Sequence, residues 1–97
     1  LNKNGGIMEF TLTEKAKIEL NEIKNDNKPI KLKITGYSWC GATFGIVSEK
    51  QTEIEKVYNV EGIDIIVSDD LDGILKGAKI DFGGLLFKDF IVSPKFA

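Results

Sequence analysis

The segment Gly36-Tyr37-Ser38-Trp39-Cys40-Gly41 carries the only soft nucleophile or metal ligand in the chain, the thiol of Cys40. Glycines on both sides let the backbone adopt conformations that bring a thiol into the open and leave space for a ligand. A thiolate there could bind iron or copper(I), or attack an electrophile, if its pKa is lowered. The residue also reads as an inert gap filler, because free cysteine is among the most buried residue types. Tyr37 and Trp39 read as core or rim packing. With one cysteine and no histidine, an internal disulfide framework, a zinc finger, a Ser-His-Asp triad and a Cys-His pair all drop out. The chain is not expected to be an enzyme.

Other acids and glycines do not add a second site. Ser68-Asp69-Asp70-Leu71-Asp72-Gly73 resembles the front half of a calcium loop, but the pattern then needs an acid at position 79, which is Lys79. These acids read instead as a helix start, where the positive end of the macrodipole favours them. Gly83-Gly84 is not part of G-x-G-x-x-G, and no G-x-x-x-x-G-K-[ST] is present, so nucleotide cradles are unsupported. Asp64 and Asp81 lie on predicted strands and read as solvated faces.

The elements that must position Cys40 can be read from periodicity. Glu9 to Leu12 is a short extended lead-in. Thr11 to Glu14 fits the T-x-x-E capping box, with Thr13 a competing cap. Ala16, Leu20 and Ile23 then recur at helical spacing among lysines and glutamates, giving one amphipathic helix stopped by Asn25-Asp26-Asn27 and Pro29. Ile30, Leu32 and Ile34 alternate with Lys31, Lys33 and Thr35, the period of a half-buried strand. The Gly36–Gly41 segment breaks that alternation and reads as a loop. Phe44–Ser48 and Ile54–Val60 are predicted strands joined by a polar turn over Glu49–Glu53. Ile63–Val67 is a β-branched strand after the tight turn Glu61-Gly62. Ser68-Asp69-Asp70 caps a predicted short helix through Leu71, Ile74 and Leu75, ending at Gly77. Ala78, Ile80 and Phe82 alternate again, and Leu85–Val92 is the predicted last strand before Ser93-Pro94. The expected class is α+β, β-dominated, with mixed sheets, one main N-terminal helix and a short second helix. Leu20, Ile23, Ile34, Ile65, Val67, Leu75, Ile80 and Phe82 are expected in the core. Leu86, Phe87, Phe90 and Ile91 form an unusually apolar segment, to be buried or used as an oligomer contact.

The 97 residues, 29% charged and 42% hydrophobic with a net charge of -2, fit one small soluble domain. Residues Leu1–Ile7 (LNKNGGI) precede the only methionine, Met8, and read as an upstream leader or remnant, expected to be disordered. Residues 8–97 then form the domain. Thirteen lysines, no arginine and fifteen acids spread along the chain argue against a nucleic-acid partner, which needs a concentrated basic face. No apolar run approaches the roughly 20 residues needed to span a bilayer. The expected compartment is the cytoplasm, with no membrane partner.

The order of these features resembles the HesB/IscA-like iron–sulfur cluster biosynthesis family. The resemblance is carried by FTLTEKAKIEL, IKLKITGYSWCGATFGI, VEGIDIIVSDDLDGILKGAKIDF and FIVSP, in that order from Met8 onward. Its most diagnostic pieces are the T-L-T-E-x-A helix start, the strand-loop-Cys at Ile34–Cys40, and Leu75-Lys76-Gly77-Ala78-Lys79-Ile80-Asp81-Phe82. The resemblance implies a compact fold of mixed sheets, homodimers or tetramers, and a role in carrying iron or iron–sulfur clusters to apoproteins. Cys40 matches the family's first ligand cysteine. Family members carry a Cys-x-Cys pair shortly after the segment matched by Ile91–Pro94, whereas this sequence runs on only through Lys95-Phe96-Ala97. The chain therefore reads as a truncated or a short member without the pair.

A cluster wants four ligands, usually thiolates. One chain offers Cys40 and a homodimer offers two thiols, so other positions would fall to glutathione, another protein's cysteines, or oxygens of Asp or Ser. Such a site is expected to be weak, transient and oxygen-sensitive. The leading expectation is a cluster assembly or carrier protein using Cys40, with cluster-donor proteins and apoproteins as partners. The alternatives are a thiol-redox protein working through Cys40, and an interaction module that kept the fold and lost the metal.

Overall fold

The computed structural model describes residues 8–97. The predicted leader Leu1–Ile7 lies outside the described residues. Seven strands and one α-helix follow in the order β1 (Glu9–Leu12), α1 (Glu14–Asn25), β2 (Lys31–Ser38), β3 (Gly41–Val47), β4 (Lys56–Val60), β5 (Ile63–Val67), β6 (Leu75–Gly83) and β7 (Asp89–Phe96). They form two mixed sheets, ordered β1-β6-β7 and β3-β2-β5-β4. The α+β, strand-dominated class expected from the sequence is the class observed.

Each sheet contains one parallel pair, and both pairs are consequences of where α1 sits. β1 runs parallel to β6, with Glu9 opposite Gly77 and Leu12 opposite Ile80. The chain then turns into α1, whose Ala16 and Leu20 are fully buried. It returns as β2, parallel to β5 through Lys31↔Ile66 and Leu32↔Val67. The helix closes on β6 of one sheet and β5 of the other. A continuous apolar cluster results, including Leu20, Leu32, Ile63, Ile65, Leu71 and Ile80.

The start of α1 is decided by Thr13, not by the Thr11 capping box. Thr11 is inside β1, opposite Lys79, and so is not free to cap. Thr13 is the N-cap, its Oγ1 accepting the Ala16 N–H at 3.2 Å and donating to Asp81 Oδ1 at 2.7 Å. Its own N–H donates to the Ile80 carbonyl at 3.0 Å. One residue therefore ends a strand, begins a helix and ties both to β6.

Three further expectations change. The predicted short helix to Gly77 is a single 3-10 turn, Asp69–Leu71, and Leu75 and Gly77 belong to β6. Ser68 does not cap it; its hydroxyl donates to Asp70 Oδ1 at 2.7 Å. Extended geometry wins at Gly77 because it pairs with Glu9 of β1 within the sheet, an approach so close that a Cβ there would collide with the Glu9 carbonyl oxygen. The last strand is Asp89–Phe96 and not Leu85–Val92, since Gly83 pairs with Asp89 and the loop 84–88 closes between them. Pro94 is accommodated because β7 is an edge strand, where a missing N–H costs no ladder bond. In the core, Leu20, Ile65, Val67, Leu75 and Ile80 are buried as expected, while Ile23, Ile34 and Phe82 are only partly so.

Candidate functional site

Cys40 does not sit in a loop of its own. β2 continues through Gly36, Tyr37 and Ser38, which pair with Thr43, Ala42 and Gly41 of β3. This corrects the loop expected over Gly36–Gly41. Only Trp39 and Cys40 are left unpaired, as the two-residue turn of a β-hairpin. The alternation is lost there because Thr35 is an extra residue between the pairs Ile34↔Phe44 and Gly36↔Thr43, a bulge that shifts the phase of every following side chain.

The turn is held from within. The Cys40 N–H donates to Ser38 Oγ at 3.2 Å, and that hydroxyl donates to the Gly41 carbonyl at 3.3 Å. Gly41 takes φ +121°, a region that side chains disfavour. The result is an exposed, unpaired thiol at the tip of a hairpin. The buried-filler reading of Cys40 is therefore excluded. Of the core or rim packing expected for Tyr37 and Trp39, the core half fails, because they are 79% and 98% exposed.

Tertiary packing adds a feature that the sequence does not display. β3 and β7 are edge strands of different sheets and face one another. Phe44 and Phe96 meet there edge to face with ring centroids 6.0 Å apart. Between the strands runs an open groove of about 810 Å³, with Ile34, Phe44, Ile91, Val92 and Phe96 among its walls and Cys40 at its rim. No local pattern links Phe44 to Phe96. The only available signal was the apolar character of the last strand, including Ile91.

The other acids remain structural. Asp72 pairs with Lys56 at 3.3 Å, and Asp64 accepts from Asn59 at 2.8 Å. Asp64 and Asp81 lie on different sheets and form no pair. The Thr13 hydroxyl and the Phe82 N–H hold the Asp81 carboxyl below the usual carboxylate range. Among the described residues, no three His, Cys, Asp or Glu side chains converge on one point. No helix among them is long and apolar enough to cross a membrane.

No protein-family model and no curated protein matches this sequence. Solved structures do match its fold. The crystal structure of Escherichia coli SufA, involved in biosynthesis of iron–sulfur clusters, is 17% identical, with a TM-score of 0.71 over 95% of this chain and 86% of that one. The crystal structure of IscA with a [2Fe–2S] cluster is 14% identical, with a TM-score of 0.66 over 89% of this chain and 82% of the other. The solution structure of a protein from Aquifex aeolicus is also 14% identical, with a TM-score of 0.64 over 96% and 98%. The fold is thus that of IscA and SufA.

Proposed function

We propose that this chain handles iron–sulfur clusters, as an assembly or carrier protein without catalytic turnover, and that Cys40 supplies one thiolate to the cargo. The observation that carries the reading is a fold shared with IscA and SufA combined with an exposed thiol on a short, hydrogen-bonded hairpin turn. A soft sulfur in the open suits a terminal iron ligand.

The described residues do not provide a full ligand set. With one cysteine in the sequence and no convergent group of three donors among the described residues, a four-ligand cluster takes its other ligands from a second copy, glutathione, or a donor or acceptor protein. A holder of this kind binds weakly and releases readily, which suits transfer to an apoprotein better than storage. The lack of a membrane-spanning helix among the described residues is compatible with work in the cytoplasm.

Anaerobic reconstitution with iron and sulfide, with and without glutathione, tests the reading through the visible charge-transfer bands. Wild type is expected to take up iron, more so with glutathione, and Cys40→Ala to take up none. Equal and negligible uptake by both proteins under both conditions overturns it.

A further inference from the structure

Among the described residues, the two sheets end in four edge strands, β1, β7, β3 and β4. An unpaired edge offers a row of free N–H and C=O groups to any extended chain, and folded proteins blunt such edges with shortness, charge and proline. Three of the four are blunted in this way. β1 has four residues and begins with Glu9, β4 has five and begins with Lys56, and β7 carries Asp89, Pro94 and Lys95. β3 differs: Gly41-Ala42-Thr43-Phe44-Gly45-Ile46-Val47 is seven residues long, with no charge and no proline. Its first three residues are exposed, and its first four line the β3–β7 groove. No lysine, aspartate or glutamate lines that groove, although 29% of the chain is charged. An ion seated there would lose water and find no partner, so the surface selects an uncharged occupant.

We infer that Gly41–Phe44 accepts, as an added strand, an extended, uncharged, cysteine-bearing segment of the protein that gives or takes the cluster. The identity of that partner rests on the cluster reading; the strand addition rests on the edge itself. The sequence brings one thiol, and the pairing stretch begins at the residue after it. Directly opposite residues of paired strands stand about 4.5–5.5 Å apart, so a segment laid along β3 carries its own cysteine to the Cys40 turn. Main-chain hydrogen bonds supply the affinity in this mode of recognition. Pairing goes to β3 and not across the groove to β7, where Pro94 leaves a gap in the row of donors. Size selects a segment over a second copy of the chain. The groove of about 810 Å³ lies within the roughly 300–1,000 Å³ of ligand-sized clefts, and four residues of strand span only about 13 Å.

Peptide binding tests the strand addition without iron, so its failure overturns this inference and leaves the cluster reading to its own reconstitution. The probe is acetyl-Val-Thr-Ser-Val-Thr-Val-amide, with serine in place of cysteine so that no disulfide forms, titrated into isotope-labelled protein. The amide signals of Ala42–Phe44 are expected to shift saturably and their exchange with solvent to slow several-fold. Methylating alternate peptide nitrogens leaves one edge of the peptide free and is expected to preserve binding; methylating all of them is expected to abolish it. Ala42→Lys and Thr43→Lys are each expected to weaken binding at least tenfold with unchanged circular dichroism. Val57→Lys, on the β4 edge and outside the groove, is expected to bind as wild type does. In reconstitution, the cysteine form of the peptide is expected to raise iron uptake by wild type several-fold over the serine form. Binding that survives full methylation, or that is equal in both Lys variants, overturns the inference. So does a wild type that pairs β3 with itself, seen as a dimer whose Ala42–Phe44 amides are protected before peptide is added. Equal uptake with the two peptides, in a wild type that does take up iron, overturns the cysteine-bearing partner.

Discussion

The Lys31 ammonium on β2 lies 2.7 Å from Glu55 Oε1 just before β4, and both side chains are almost fully shielded, at 6% and 7% exposure. Glu49 stands 3.9 Å from the same nitrogen and bridges to Lys33 at 3.2 Å. The pair locks the long connection between β3 and β4 down onto the sheet. Lys31, followed by the Thr52 N–H, holds the Glu55 carboxyl below its ordinary range. A carboxylate with a lowered folded-state pKa contributes stability above its unfolded value of about 4.3, and that contribution is lost as the pH falls through the folded value.

Glu55→Gln is therefore expected to be less stable than wild type at pH 7, with the gap closing as the pH drops below about 4. Urea unfolding at a series of pH values measures it. Lys31→Ala should cost more than Lys33→Ala at neutral pH, because removing one partner strands a shielded charge whereas Lys33 is a third exposed. A gap for Glu55→Gln that stays constant from pH 7 to pH 3 would show that the carboxylate charge is not what the pair contributes.

That pair also marks the limit of what the sequence discloses. The alternation Ile30-Leu32-Ile34 locates β2 correctly, yet it assigns Lys31 to solvent. β2 lies inside its sheet, and the connection carrying Glu49 and Glu55 covers its second face, so alternation between core and water no longer applies at Lys31. The same kind of information was missing at Cys40. Glycine content and a broken period describe a loop, but the ladder Gly36↔Thr43 to Ser38↔Gly41 is a non-local fact that continues the strand past a bulge. α1 and the alternation through Ala78 and Ile80 were legible because each buries one stripe against one core, and β5 because its run is β-branched and bounded by a turn. The thiol could be identified from its uniqueness. Its exposure and the groove beside it could not, since they depend on two edge strands from different sheets meeting.

Thr13 and Thr11 separate two readings of the helix start. Thr13→Ala removes the cap hydrogen bond and the bond to Asp81, and is expected to cost about 1–2 kcal/mol. Thr11→Ala, at an exposed strand position, should cost well under half of that. Thermal unfolding of the two variants ranks them. The reverse order would place the cap in the T-x-x-E box after all.

Gly77 and Gly83 lie on the same strand but differ in their surroundings. A methyl at 77 meets the Glu9 carbonyl, whereas nothing lies within 4 Å of one at 83. Gly77→Ala is expected to destabilise by about 1–3 kcal/mol as β1 is pushed off β6, with amide exchange in Phe10 and Leu12 accelerated. Gly83→Ala should be close to neutral. Equal effects at both positions would indicate that β1 is not held against β6 at this register.

At the hairpin tip, function and stability should come apart. Cys40 and Trp39 are exposed and buried by nothing, so Cys40→Ser and Trp39→Ala are expected to change unfolding free energy by no more than about 0.5 kcal/mol. Ser38 differs because its hydroxyl accepts from one side of the turn and donates to the other. Ser38→Ala gives up both bonds and should cost about 0.5–1.5 kcal/mol, toward the lower end because water can replace them. Urea denaturation of the three variants decides the matter. A loss above about 2 kcal/mol for Cys40→Ser would mean that the sulfur is packed, and a thiol needed for packing is not free to serve as a ligand.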